Sequence, residues 1–412
     1  MTIEFAERIN VITGDNGLGK SFLLDVAWWA LTRTWAGTPA LPTDPTEATI
    51  RYAIAGQTGK SEPVTSHYQP DGQEWPADQR PLAIPGVVVY MRVDDGFSVW
   101  DPARNFVDPV RNYLRSGRHE RPAAYHFDHK DVWDGLRLNG LSVSEGLERD
   151  WVSWQKGREP QFALLERVIE KLSPPDMPLR VGPPKRVFLG EGFDRPTLII
   201  GENVVPVLIA SAGIRRILAL AYLLVWAWHE HQVAAYLLNE QPDMRLTLLI
   251  DEPETHLHPA WQRRVIPAVV EAVRALHDEH ETATQILIAT HAPLVLASLE
   301  PFFDVERDAL FHLRLDRGHA ELEAESWSKQ GDASQWLVSD VFNLRQARSA
   351  EAEQAIEAAE AFMRDDRSAL PESLRTQDQI DARLRTLLPP HDPFWARWLT
   401  RTEPALRVSA GA

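Results

Sequence analysis

The stretch Gly14-Asp15-Asn16-Gly17-Leu18-Gly19-Lys20-Ser21 constrains this chain more than any other. It fits G-x-x-x-x-G-K-[ST], a phosphate-binding loop. An apolar run, Ile9 to Ile12, precedes it, and a helix-like run, Phe22 to Leu31, follows. The motif needs that strand–loop–helix setting. Gly14, Asn16, Gly17 and Gly19 form the expected cradle, since glycines let backbone N–H groups turn inward around phosphate oxygens. The helix start adds positive potential. Lys20 is expected to reach the β- and γ-phosphates, and the Ser21 hydroxyl to ligate Mg²⁺. The bland alternative is a glycine-rich turn that binds nothing.

A second motif argues against that alternative. Leu246-Thr247-Leu248-Leu249-Ile250-Asp251-Glu252-Pro253 reads as a buried strand with two carboxylates at its C-terminal tip. Open α/β sheets bind ligands along that edge. Asp251 is expected to hold Mg²⁺ directly or through water, and Glu252 to orient and activate the attacking water. Phosphoryl transfer needs mainly positioning and charge stabilisation. A third strand, Gln285 to Thr290, ends at His291, which at the same edge can contact the γ-phosphate or the water.

In this order the motifs resemble those of ABC-type ATPases. The branch includes RecF, the SMC proteins, the double-strand-break-repair ATPases and the overcoming-lysogenization-defect ATPases. Ser211-Ala212-Gly213-Ile214-Arg215-Arg216 is similar to their signature motif, departing from Ser-Gly-Gly at Ala212. Glu254-Thr255-His256-Leu257-His258-Pro259 resembles their D-loop, and Thr290-His291-Ala292-Pro293 their His switch. The resemblance covers roughly 8–35 and 197–315. It implies an α/β P-loop NTPase with an ABC-type head, ATP and Mg²⁺ as cofactors, and hydrolysis to ADP and phosphate.

The resemblance also implies assembly. Two subunits of this class dimerise head to tail, and the signature of one closes the γ-phosphate site of the other. Ser211 and the Gly213 N–H are then donors in trans, in a homodimer or a larger even-numbered assembly. Ser211 also fits a plain helix N-cap. His256 and His258 are read as D-loop residues shaping the interface; a zinc site with His291 is the weaker alternative. The class's Q-loop glutamine is not identifiable: Gln57, Gln69 and Gln73 fit poorly, and Arg92 to Phe97 take that place without one. So few residues precede the loop that the adenine-receiving strand is expected to be reduced, or the start misassigned, leaving base specificity open.

Four segments follow from the motif order: 1–96, the first half of the core; 97–196, an inserted helical lobe; 197–318, the second half; 319–412, a helical extension. Strands are expected at 48–55 and 87–92, both in the core sheet. A helix is expected near 161–172, and three more at Ser334–Leu344, Ala350–Met363 and Gln377–Leu388. No sustained heptads occur, so no long coiled coil is expected. Phe394, Trp395 and Trp398 either pack a helical cap or form a docking surface.

Composition narrows the role. The net charge is −16, whereas a DNA-coating protein is expected to carry a basic face; protein partners are favoured over unaided tight DNA binding, with nucleic acid reached through the complex. There are no cysteines and 15 tryptophans, which excludes disulfides and Cys-type zinc sites and supports large buried cores. No signal peptide is visible, and Ile217 to Trp228 is too short to span a bilayer, so a cytoplasmic protein without membrane contact is expected. The tail is too short and helical for a Toprim nuclease. The D-loop form and Ser339–Leu344 look similar to the ATPase subunits of Septu-type anti-phage systems. That resemblance implies a sensor or regulator of a separate nuclease effector, of HNH type. A RecF-like ATPase that clamps DNA, and a scaffold with little turnover, remain the alternatives.

Overall fold

The computed structural model describes residues 2–56, 59–60, 62–76, 84–105, 122–174, 176–277 and 283–402. Two compact units make up the chain, Met1–Ala333 and Ser334–Ala412. The first is built on an eight-stranded sheet. Numbered in chain order, its strands are β1 (Ile9–Gly14), β2 (Val87–Met91), β3 (Phe97–Trp100), β4 (Tyr125–Phe127), β5 (Leu246–Asp251), β6 (Thr284–Ala289), β7 (Asp308–Asp316) and β8 (His319–Glu325). Their spatial order is β8-β7-β1-β6-β5-β2-β3-β4. The central five, β7 to β2, run parallel. The edge strands β8, β3 and β4 pair antiparallel.

The sequence explains this centre. β1, β2 and β5 are buried along their whole length, as strands covered on both faces must be, so they read as continuous apolar runs. Trp28 and Leu24 of the helix Lys20–Thr32 pack onto Ile12, Tyr90 and Leu249 in one core cluster. Asp308 accepts from Arg8 Nε at 2.8 Å and from the Ile9 N–H at 3.0 Å, pinning the start of β1 to β7. The 27-residue helix Ala212–Leu238 is buried almost all round from Gly213 to Trp228. No helix among the described residues is long and apolar enough to cross a membrane.

Several boundaries differ from the sequence reading. Thr49–Tyr52 pairs with Val64–His67 in a separate two-stranded sheet and does not join the main one. β3 and β4, within the stretch read as inserted lobe, extend the main sheet instead, because the Arg92–Gly96 turn folds β3 back on β2. The lobe itself is mixed: helices Leu147–Gly157 and Pro160–Leu172 accompany an antiparallel sheet of Arg180–Lys185, Arg195–Ile200 and Asn203–Pro206. β8 returns antiparallel across the Arg317–Gly318 turn, so the helical extension begins later than 319.

The second unit holds helices Ala350–Met363, Gln377–Leu387 and Phe394–Thr402. Ser349 caps the first, and Thr376 with Gln379 forms a capping box on the second. The Ser334–Leu344 helix stops at Val338. Phe394 and Trp398 are buried in the unit's own core with Ile356, Ile380 and Leu384. They are core residues and not the docking surface weighed as the alternative.

Candidate functional site

The parallel strands β1, β6 and β5 lie side by side, so their C-terminal ends form one edge. β1 delivers the phosphate-binding loop there. Gly14 has φ 142°, and a Cβ would stand 2.0 Å from the Leu313 carbonyl oxygen. Only glycine lets β1 leave the sheet so close to β7. Asn16 and Gly17 are exposed along the loop. Gly19 caps the following helix in a left-handed conformation. Lys20 is 6% exposed. Its Nζ donates to the Gly14 and Asp15 carbonyls at 2.8 and 2.9 Å. Burial lowers its pKa, against the pull of Glu252, Asp251, Glu254 and Asp15.

β5 ends at Asp251, which is 1% exposed. Neither of its carboxylate oxygens makes a hydrogen bond among the described residues. The Ser21 hydroxyl lies close enough to favour the charged form without bonding geometry. Burial wins and pushes the carboxyl up to about 6; Glu252 and Asp25 add to it, and Lys20 opposes it. A desolvated carboxylate with open lone pairs, beside a hydroxyl and an ammonium, fits a hard divalent cation of the Mg²⁺ kind.

Glu252 follows with φ 48°. Its N–H donates to the Ala289 carbonyl at 2.9 Å, tying the acidic tip to the end of β6. That strand then delivers His291, whose Nδ1 lies 3.2 Å from Glu252 Oε1 and 3.4 Å from Glu254 Oε1. The fold thus brings Lys20, Ser21, Asp251, Glu252 and His291 to one edge.

Ser211 sits elsewhere in this network. It is exposed and accepts from the Ile214 N–H at 3.4 Å, as a helix cap. Gly213 packs against the D-loop-like turn: a Cβ there would meet the His256 carbonyl at 2.6 Å. His256 has φ 63°, and His258 Nδ1 caps the short helix Pro259–Gln262 by accepting from Ala260. Among the described residues no cluster of three or more metal-ligating side chains occurs.

The sequence reading passed over Asp25, and named Arg216 and Glu254 only as members of the signature-like and D-loop-like runs. Asp25 lies one helical turn after Ser21 with its carboxyl raised by burial, beside the Tyr90 hydroxyl; the i, i+4 spacing was the available signal. Arg216 is buried, ion-paired with Asp95, and donates to the Asp251 and Glu252 carbonyls at 3.1 and 3.3 Å. Glu254 is 5% exposed and bonds the His291 loop; no periodicity marks it, because the backbone at Glu252 is not helical. Of the glutamines weighed for the Q-loop, Gln69 lies in a 69–74 turn and Gln57 lies outside the described residues.

A parallel sheet with a phosphate-binding loop on β1, an acidic tip on β5 and one strand between them is an α/β fold of the P-loop class. Residues 187–297 match the model of a family described as "AAA domain, putative AbiEii toxin, Type IV TA system". No curated protein matches. Among solved structures, the SMC head domain from Thermotoga maritima is 14% identical, with 79% of this chain and 93% of that one covered and a TM-score of 0.34. The recombination mediator protein RecF with ATP, in the RecFOR pathway, is 14% identical over the same shares, with a TM-score of 0.33.

Proposed function

We propose that this chain binds ATP with Mg²⁺ and hydrolyses it as an ABC-type ATPase. The observation that carries the reading is the buried, hydrogen-bond-free carboxylate of Asp251 beside Ser21 and Lys20 at one sheet edge. Water attacks the γ-phosphorus, the bond to the β–γ bridging oxygen breaks, and ADP and phosphate leave. Glu252 accepts the proton of the attacking water. Lys20, freed from the Gly14 and Asp15 carbonyls, neutralises phosphate charge. Ser21 and Asp251 would hold the cation, which when bound neutralises charge developing on the phosphates. Gly14, Asn16, Gly17 and Gly19 shape the loop. The exposed Ser211, with Gly213, serves the γ-phosphate of a second copy, giving a homodimer or a larger even-numbered assembly.

The test is phosphate release by the purified chain. Glu252→Gln is expected to retain ATP binding and to slow turnover at least ~100-fold, as loss of a general base does. Near-normal turnover by the variant moves the base elsewhere, with His291 the next choice.

The role of hydrolysis is the regulation of a separate nuclease effector, of HNH type, in anti-phage defence. This reading rests on the likeness of the D-loop form and of Ser339–Leu344 to the ATPase subunits of such systems. Phage challenge of cells carrying the gene and its neighbours, in wild-type and Glu252→Gln forms, tests it. No protection, together with ATP-dependent binding of DNA ends by the chain alone, replaces it with a RecF-like clamp.

A further inference from the structure

Glu254 is a buried acid, its carboxyl pushed up by burial, and it is used by nothing in the chemistry above. Oε1 accepts from the Thr290 hydroxyl at 2.8 Å and from the His291 N–H at 3.1 Å. The same oxygen is 3.4 Å from the His291 imidazole Nδ1. Oε2 has no hydrogen-bond partner among the described residues. The Thr290 hydroxyl in turn accepts from the Ala292 N–H at 3.1 Å. One carboxylate oxygen therefore gathers the backbone, the preceding side chain and the ring of the residue at the end of β6. Isolated buried carboxylates are costly, so a retained one must be repaid by what it holds.

The imidazole has two carboxylates to choose from. Its Nδ1 stands 3.2 Å from Glu252 Oε1, only slightly nearer than to Glu254. A ring N–H directed at Glu252 Oε1 would compete with water for that oxygen. An alternative partner for the ring releases the base.

We propose that Glu254 is a positioning residue: it fixes the Thr290–His291 turn and holds the imidazole so that Glu252 is free to activate water. This rests on the hydrolysis reading above. Its reach is different, because Glu254 makes no described hydrogen bond to the phosphate loop or Asp251 and acts on Lys20 only through its charge, behind Glu252 and Asp251. Removing it should leave ATP affinity intact and lower kcat. The effect should run through His291 and no other group. A glutamine can still accept both hydrogen bonds through its amide oxygen, so it should rescue most of the loss.

The experiment uses the full chain with Mg²⁺ and ATP. Glu254→Ala is expected to lower kcat about 10- to 100-fold with ATP KM within about 2-fold, and Glu254→Gln to recover most of that rate. In a His291→Ala background, adding Glu254→Ala should cost less than 3-fold. Full additivity of the two changes, or an unchanged kcat in Glu254→Ala, overturns the proposal. Deuterium exchange at the 290–292 amides reads the same role without turnover. Faster exchange in Glu254→Ala than in wild type, with Glu254→Gln close to wild type, supports the fixed turn; equal exchange in all three overturns it. A wild type that binds but does not hydrolyse ATP sinks the hydrolysis reading alone, and the exchange result then decides whether Glu254 fixes the turn.

Discussion

The sheet edge of the first unit and the core of the second bury polar groups in opposite ways. At the edge, both Asp251 oxygens and Glu254 Oε2 are buried without a hydrogen-bond partner among the described residues, and the Lys20 ammonium bonds two loop carbonyls. In the helical unit the buried polar groups are matched. Asp392 takes a fork from Arg348 at 2.8 and 3.1 Å and caps Phe394 at 2.9 Å. Trp398 Nε1 donates to Asp381 at 3.0 Å. The second arrangement resembles what stability alone selects. On the proposed function, the first holds polar groups in readiness for nucleotide and cation and loses stability until they bind.

Three changes sharpen the contrast. The largest effect belongs to the matched core. Trp398, 1% exposed, should cost about 3–5 kcal/mol as Trp398→Ala, read as early loss of helical circular dichroism on heating. A melt indistinguishable from wild type would return that aromatic to the surface role. Next comes Lys20→Ala, which removes a phosphate-directed charge. A charged hydrogen bond of about 1.5–3 kcal/mol predicts roughly 10- to 100-fold weaker Mg-ATP binding by calorimetry. Unchanged affinity breaks the loop assignment.

The smallest and most discriminating effect is on Asp251. Folding raises its carboxyl from 3.8 to about 6. A raised acid favours the fold while protonated and loses that advantage as pH rises from the unfolded value through the folded one. Above pH ~7 the nucleotide-free chain should therefore be destabilised at this residue by at most about 3 kcal/mol, less as solvent screens the charge. Asp251→Asn should melt higher than wild type at pH 8, and the gap should close toward pH 4. Saturating Mg-ATP should reverse the order, because wild type alone gains the cation contact. A gap that does not change with pH would place the strain elsewhere.

Much of the site was legible because its signals are local. Gly14 to Ser21 carries a backbone geometry in its glycines and a charge in Lys20. The apolar runs around Ile9, Leu246 and Ile286 are short and aliphatic, as strands covered on both faces are. Their order in the sheet, with β6 between the loop strand and the acidic strand, fits the expected juxtaposition of Lys20, Asp251 and His291. The small sheet at Thr49–Tyr52 and the sheet edge at β3 and β4 were misread for the opposite reason. Short strands of similar composition pair wherever a turn directs them, and turn direction is a tertiary outcome.

By itself the sequence determined the strand–loop–helix at Gly14–Ser21, the acidic tip and the long buried helix after Ser211, since spacing along a strand or helix carries those. Only the tertiary structure decided that Glu254 reaches His291, that Arg216 braces the carbonyls of Asp251 and Glu252, and that Phe394 and Trp398 face inward. Each of these joins positions through turns with left-handed residues such as Glu252 and His256, or through packing between helices. Neither leaves a period in the sequence, because the contact is set by where elements cross and not by how residues repeat.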